Sequence, residues 1–298
     1  MRKFFPVEEL ARDGRFNQIT MKDRMADPRT VLGKDGVRPS SNRLVPSRPD
    51  ASTAARVLMH GIFVGEIQAL EGAGRTCHDF RTAGDQARRA QDAAAGDDSG
   101  ADAVPFALKL DMARQAWDEA RHVEISVKLS DWMGGEIGEI AENTVLQAAC
   151  STDPVLRLAG VNRALEGLAI DVFTTMKEFG DLAGDPFLEF CEDWMLADEV
   201  THVKMGSDWL RKVTENDPER RKKALEFQGI VDKLFSYGGT RSDSEESPIG
   251  LARRFRELAG FTDSEVEDIA EVSLAALNER KDAVARLQAE AASQFAGR

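Results

Sequence analysis

Asp118-Glu119-Ala120-Arg121-His122 and Asp198-Glu199-Val200-Thr201-His202 repeat one pattern, Asp-Glu-x-x-His. Residues three apart share a face of an α-helix. Each Glu and His can therefore aim a carboxylate oxygen and an imidazole nitrogen at one point. The chain has four histidines, and two fall in this setting. At this composition roughly 0.4 Glu-x-x-His pairs arise by chance, before an aspartate is also required ahead of each.

Working outward, each pattern follows a helix-forming stretch with a lone glutamate. Gly65-Glu66-Ile67-Gln68-Ala69-Leu70-Glu71 resembles Leu165-Glu166-Gly167-Leu168-Ala169-Ile170-Asp171. The chain order is thus Glu66, then Glu119 and His122, then Glu166, then Glu199 and His202, which reads as two halves of one site. Glu66 lies among Ile62, Phe63, Val64, Ile67 and Leu70, and Glu166 among Ala164, Leu165, Leu168 and Ala169. A carboxylate in such surroundings is costly to bury unless it is paired or metal-bound.

Four carboxylates and two imidazoles are what a carboxylate-bridged two-metal centre requires. Four negative charges balance two divalent ions, and bridging carboxylates hold such ions about 3.5–4 Å apart. The mixture of histidine and carboxylate suits iron or manganese better than calcium, and a structural zinc site more often uses cysteine. Asp118 and Asp198 stand four residues before His122 and His202. In an antiparallel bundle each can accept the outer ring N–H of the histidine on the opposite helix, which fixes the tautomer and raises the basicity of the ligand. Arg121 is expected to pair with one of these aspartates.

The remaining pattern is helical. A first helix is expected from Ala51 to about Phe80, and a second from Pro105 to about Trp132, broken by Gly134-Gly135. A short helical piece runs to about Cys150. A third helix should run from Asp153-Pro154 to about Gly180. A fourth runs from Asp185-Pro186 to about Thr214, with Asp185 as its N-cap. A fifth runs from Asp217-Pro218 to about Tyr237. A polar loop over Gly238–Pro248 precedes two more helices, the last opened by Thr262-Asp263-Ser264-Glu265 with capping-box spacing. Strand signals are nearly absent. The fold class is all-α: an extended N-terminal arm over 1–50, rich in Pro and Gly; a four-helix bundle over 51–215 with a flexible loop at 81–104; and a C-terminal helical extension over 216–298.

Composition narrows the function. Charged residues make up 31% of the 298, and the net charge is −13, which argues against a nucleic-acid partner. The basic run Glu219-Arg220-Arg221-Lys222-Lys223 is followed by Glu226 and reads as a solvated helix face. No apolar run approaches the roughly 18 residues of a membrane span, and Met1 to Pro6 lack a signal-peptide core. Cys77, Cys150 and Cys191 are odd in number and scattered, which points to a reducing cytoplasm. No Cys-x-x-Cys is present, so no rubredoxin-type iron site is built in.

Other candidates carry less. His60 is off the face of Glu66 and reads as a core histidine, and Cys77, with His78 beside it, lies about 16 Å along the helix from Glu66. Glu71 and Asp171 point aside from the ligand face and are expected to hold helix contacts or to pair with Arg75 or Arg163. Trp117, Trp132, Trp194, Trp209, Phe63 and Phe173 read as core. Tyr237, the one tyrosine, lies outside the bundle, so a redox tyrosine beside the metals is not expected.

At this point the chain resembles the ferritin-like superfamily, which includes rubrerythrins, ribonucleotide reductase small subunits and diiron oxygenases. More narrowly it resembles the DUF455 family, related to the tRNA hydroxylase type. The matching stretches are His60 to Glu71, Arg157 to Val172, and Asp198 to Trp209. The resemblance implies that Glu66, Glu119, His122, Glu166, Glu199 and His202 are the metal ligands. It covers about residues 50–215. One departure is Val64-Gly65, where the family often has a histidine before the first ligand glutamate.

The favoured expectation is an enzyme: a non-haem diiron oxidoreductase, with manganese admissible at one position, that activates O2 to oxidise a small organic substrate. Hydroxylation, N-oxygenation and desaturation are all open. Electrons would come from an external donor such as a ferredoxin or reductase, and a homodimer is admissible. The alternatives are iron or peroxide handling of the rubrerythrin or ferritin type, and a metal-free helical structural protein.

Overall fold

Asp-Pro pairs open three helices. Asp153 accepts hydrogen bonds from the Val155 and Leu156 amides, Asp185 from those of Phe187 and Leu188, and Asp217 from that of Arg220. In each pair the aspartate takes up free amides of the first turn, and the proline supplies a preset φ where no N–H is needed. The computed structural model of the protein describes residues 44, 46, 51–82, 103–138, 146–238, 241–243, 247, 249–276 and 278–279.

The elements are α1 (Ala51–Asp79), α2 (Phe106–Trp132), α3 (Leu146–Ala149), α4 (Pro154–Arg157), a π-helical stretch (Leu158–Leu165), α5 (Glu166–Ala183), α6 (Pro186–Val213) and α7 (Pro218–Gly238). Two-residue strands β1 (Arg241–Ser242) and β2 (Ile249–Gly250) pair in parallel, and α8 (Arg253–Leu258) and α9 (263–276) follow. The fold is the ferritin-like four-helix bundle. Helix α1 packs along α2, and α5 with the π stretch packs along α6; the two pairs then close on each other through α2–α6 and α1–α5. The shared core is apolar, with Met59, Ile125, Phe173 and Val203 fully buried between the four helices.

The third helix departs from the expectation of one α-helix ending near Gly180. It runs on to Ala183, where Gly184 caps it with a positive φ of 66°, and it changes pitch over Leu158–Leu165. The wider π turn lets two adjacent side chains reach buried partners on different neighbours. Asn162 meets Gln115 of α2, while Arg163 meets Gln228 of α7 and Ser207 of α6. Gly160 permits the approach, since a Cβ there would overlap the Ala149 carbonyl. Such pitch changes commonly mark functional positions.

All of the expected N-terminal arm but residues 44 and 46, and most of the 81–104 loop, lie outside the described residues, as does the end of the last helix. The loop's base is closed by the Val104 amide donating to the Arg81 carbonyl (2.8 Å). Thr262 and Glu265 form the reciprocal capping box, at 2.8 and 3.3 Å. No helix among the described residues is long and apolar enough to cross a membrane.

Several side chains sit elsewhere than the sequence suggested. Glu71 pairs with Arg75, but Asp171 pairs with the extension. Its carboxylate accepts from Arg256 Nη2 at 2.6 Å and Nε at 3.0 Å and from the Ala252 amide at 2.9 Å, with Arg241 Nε 3.3 Å away. Arg241 also pairs with Asp232, so the predicted polar loop delivers a fully buried arginine. Trp117 is half exposed at 50%, not core, because the interior face of α2 at that level is taken by Asp118, Glu119 and His122.

Arg256 and Asp171 are both fully buried, and removing one partner of such a pair leaves an uncompensated charge. Arg256→Ala is expected to lower stability by about 3–5 kcal/mol. Arg253→Ala, which cuts only exposed pairs with Asp243 and Glu267, should cost under about 1 kcal/mol. Urea denaturation of the two variants checks the contrast.

Candidate metal centre

Helical spacing and the bundle's crossing bring the six sequence-predicted side chains to one level. Glu66 comes from α1, Glu119 and His122 from α2, Glu166 from the first position of α5, and Glu199 and His202 from α6. All six are buried. They form two overlapping groups that could hold a metal ion: Glu66, Glu119, His122 and Glu199; and Glu119, Glu166, Glu199 and His202. Within each group the candidate ligand atoms lie within 4.8 Å of one another. Glu119 and Glu199 belong to both.

The inward nitrogens face the carboxylates. His122 Nδ1 lies 3.1 Å from Glu66 Oε2, 3.2 Å from Glu119 Oε2 and 3.0 Å from Glu199 Oε1. His202 Nδ1 lies 3.1 Å from Glu119 Oε1 and 3.6 Å from Glu199 Oε1. The outward nitrogens face the aspartates across the bundle: His122 Nε2 is 3.3 Å from Asp198 Oδ2, and His202 Nε2 is 3.3 Å from Asp118 Oδ2. Arg121 donates to both Asp118 and Asp198 and lies over the Trp194 ring. Burial works against the charge of Asp118, but His202 and Arg121 outweigh it and hold its pKa below the usual range.

The electrostatics are those of a ring short of positive charge. Burial raises the pKa of Glu66 and Glu166 well above the carboxylate range, and the charges of Glu119 and Glu199 push both further up. Burial opposes the charge of Glu119 too, but His202 and His122 hold that group well below it. Burial likewise disfavours charged His122 and His202, yet the surrounding carboxylates win and raise both well above their ordinary value. The residues fit a pair of cations on a further count. Both Glu199 oxygens, Glu119 Oε2 and His202 Nδ1 are buried with no aligned hydrogen-bond partner among the described residues. Buried polar atoms that converge without hydrogen-bond partners are what an ion satisfies.

Three residues near the ring were missed by the sequence reading. Gln115, fully buried, donates from Nε2 to Glu166 Oε1 (2.6 Å) and Glu119 Oε1 (3.2 Å). Its place four residues before Glu119, on the same helix face, was the available signal. Asn162 Nδ2 donates to Gln115 Oε1 at 2.6 Å. Glu192, two helical turns before Glu199, is fully buried with neither oxygen hydrogen-bonded among the described residues, and burial and then Glu66 raise its pKa well above normal. Of the weaker candidates, His60 is buried and accepts the Gly138 amide at 3.0 Å. Cys77 is half-buried with Sγ 3.5 Å from the Lys109 carbonyl, and the exposed His78 faces Asp79.

Comparison with known proteins gives one match. The family described as "Protein of unknown function (DUF455)" aligns with residues 2–267, most of the chain. No curated protein and no solved structure matches. The chain belongs to the DUF455 family, and within that family it carries a ferritin-like candidate dimetal-carboxylate site.

Two outcomes are expected from this geometry. Asp118→Asn and Asp198→Asn should each lower metal affinity about 10-fold or more, because an amide can no longer hold the facing imidazole with its Nε2 protonated and charge-paired; metal retention after dialysis measures it. Glu66, Glu166, His122 and His202 all have raised pKa values, so a divalent ion must displace protons from them. Loading the apoprotein at neutral pH should release protons, and the apparent affinity should climb with pH. Calorimetry in two buffers of different ionisation enthalpy reads both.

Proposed function

We propose that the protein is a non-haem dimetal-carboxylate oxidoreductase that oxidises a small organic substrate with O2. The observation that carries this reading is the shared pair Glu119 and Glu199, which joins two buried Glu/His groups into one site. In this reading Glu66 and His122 hold one ion, Glu166 and His202 the other, and Glu119 and Glu199 lie between them. Two iron ions, or one iron and one manganese, suit this donor set and supply the capacity to activate O2 and oxidise the substrate.

The chain's own residues have definable tasks. Asp198 and Asp118 accept the outer N–H of His122 and His202, which leaves each Nδ1 lone pair facing inward. Arg121 neutralises both aspartates from the outside. The Phe173 and Trp194 rings stand edge-on to His122 at 6.2 and 6.0 Å between centroids. Together with the apolar core beside them they keep water from the oxidising side. Glu192 is a buried carboxyl with no hydrogen-bond partner among the described residues, and burial pushes its pKa well above the usual range. The electrons that such chemistry consumes come from an external donor of the ferredoxin or reductase type.

Metal analysis of protein produced with ample iron should give two ions per chain, and Glu119→Ala should lose the two-ion state. The ferrous protein should consume O2 with a change in its ultraviolet–visible spectrum. Two ions persisting in the Glu119→Ala variant, or a ferrous protein inert to O2, would overturn the proposal. Uptake of many ions per chain would instead assign iron storage.

A further inference from the structure

We propose that Gln115, oriented by Asn162, is a positioning residue that holds Glu166 in a single one-oxygen binding mode and makes the two metal positions inequivalent, the one beside His202 binding first and more tightly. This rests on the metal reading given above and concerns how the chain divides one site into two unlike halves.

The internal repeat allows a direct comparison of the halves. Glu119 matches Glu199 and Glu66 matches Glu166, so the position of Gln115 matches Met195 and that of Asn162 matches Ile62. All four are buried. One half therefore has one amide on its lone glutamate and a second amide on the first, and the other has at the matching positions a thioether and an alkyl group that cannot donate. Glu166 Oε1 receives Gln115 Nε2 at 2.6 Å, a short hydrogen bond. Glu66 has His122 Nδ1 at 3.1 Å as its hydrogen-bond partner, and that nitrogen is the one a metal would take. With an ion bound, Glu166 would keep its donor, while Glu66 would lose its one hydrogen-bond donor among the described residues.

The amides are themselves held. Gln115 Oε1 accepts from Asn162 Nδ2 at 2.6 Å, which turns the NH2 of Gln115 toward Glu166 and Glu119. Asn162 lies in the π stretch and presses against Gly206 of α6, where any Cβ would overlap its own. The second N–H of Asn162 meets Met112 Sδ at 3.5 Å. A carboxylate with one oxygen fixed by such a chain offers the other to a metal and cannot easily swing to chelate or bridge. A preorganised ligand loses less freedom on binding, which favours the His202 position. Glu66 has no such amide donor among the described residues, so its half lacks this preorganisation.

Mn(II) titration of the apoprotein, followed by the electron paramagnetic resonance of free and bound ion, tests this. The wild type should bind in two resolved steps; His202→Ala should remove the tighter step and His122→Ala the weaker. Gln115→Met, which copies the matching Met195, should still bind two ions with unchanged helicity. Its tighter step should weaken about 10–100-fold, the scale seen when an outer partner of a metal ligand is removed. At half loading the wild type should show one mononuclear Mn(II) species, and the variant a mixture that includes spin-coupled pairs. A residue that only supported the fold would leave that ratio unmoved. If Gln115→Met loses helicity, Asn162→Ala, which leaves Gln115 without its orienting donor, should shift the tighter step in the same direction. Two equal steps in the wild type, or two well-separated steps retained in the variants, overturn the proposal. A wild type that binds no Mn(II) overturns the metal reading beneath it.

Discussion

Four carboxylates driven into one dry region of a bundle are the constraint that the rest of the molecule answers. At roughly 5 Å apart, two like charges repel by about 3 kcal/mol even at an effective dielectric of about 20, and each loses its water besides. The chain meets this in layers. His122 and His202 stand between the glutamates, Asp118 and Asp198 anchor the histidines, and Arg121 balances the aspartates. Each layer reverses the sign of the one inside it. The ring still has more acceptors than protons, with Glu199 and Glu119 oxygens unmatched. Oxygens so placed are what a metal ion would satisfy.

The fold is arranged to keep this ring from relaxing outward. Glu166 sits where the π stretch gives way to α5, so its helix is exposed to distortion on the N-terminal side. The extension fastens that junction from outside. Arg256 Nη2 donates to the carbonyl of Gly167, the next residue, at 2.7 Å, and to Asp171 one turn further on. Arg163, just before it, is tied to Gln228, Ser207 and Glu265. A minimal four-helix bundle has no such clamp. Helices α7 and α8 are therefore part of what positions the site, although they contribute no atom to it.

The sequence showed the ring because each of its six members obeys a short-range rule. Glu-x-x-His is an i, i+3 pair on one helix face, and an isolated glutamate in an apolar run is conspicuous by its cost. Helix starts at Asp153, Asp185 and Asp217 were visible for the same reason, since a cap involves four consecutive residues. What stayed hidden depends on pairs far apart in the chain. Asp171 meets Arg256 across 85 residues and Gln115 meets Glu166 across 51, and no local pattern announces either. The π stretch was hidden too, because Leu158–Leu165 has ordinary helix-forming composition and its pitch is set by what Asn162 and Arg163 must reach. Trp117 misled because an aromatic at helical spacing usually faces a core, and here Asp118, Glu119 and His122 occupy that face.

The internal repeat raises a question that symmetry alone does not answer. Two halves with matching ligands would make two matching metal positions, and a small molecule approaching them would have no reason to prefer either. The chain breaks this equivalence at residues that are not ligands. On the Glu166 side Gln115 and Asn162 leave polar groups paired with one another, which rigidifies. On the Glu66 side Ile62 and Met195 are apolar, the Phe173 and Trp194 rings flank His122, and Glu192 has no partner among the described residues. A buried carboxyl without a partner is expensive, and it persists where a guest or a moving proton uses it. The direction of the asymmetry therefore matches a division of labour. In the Glu166 half paired amides hold the glutamate, and in the Glu66 half aromatic rings flank the imidazole beside a buried carboxyl with no partner among the described residues.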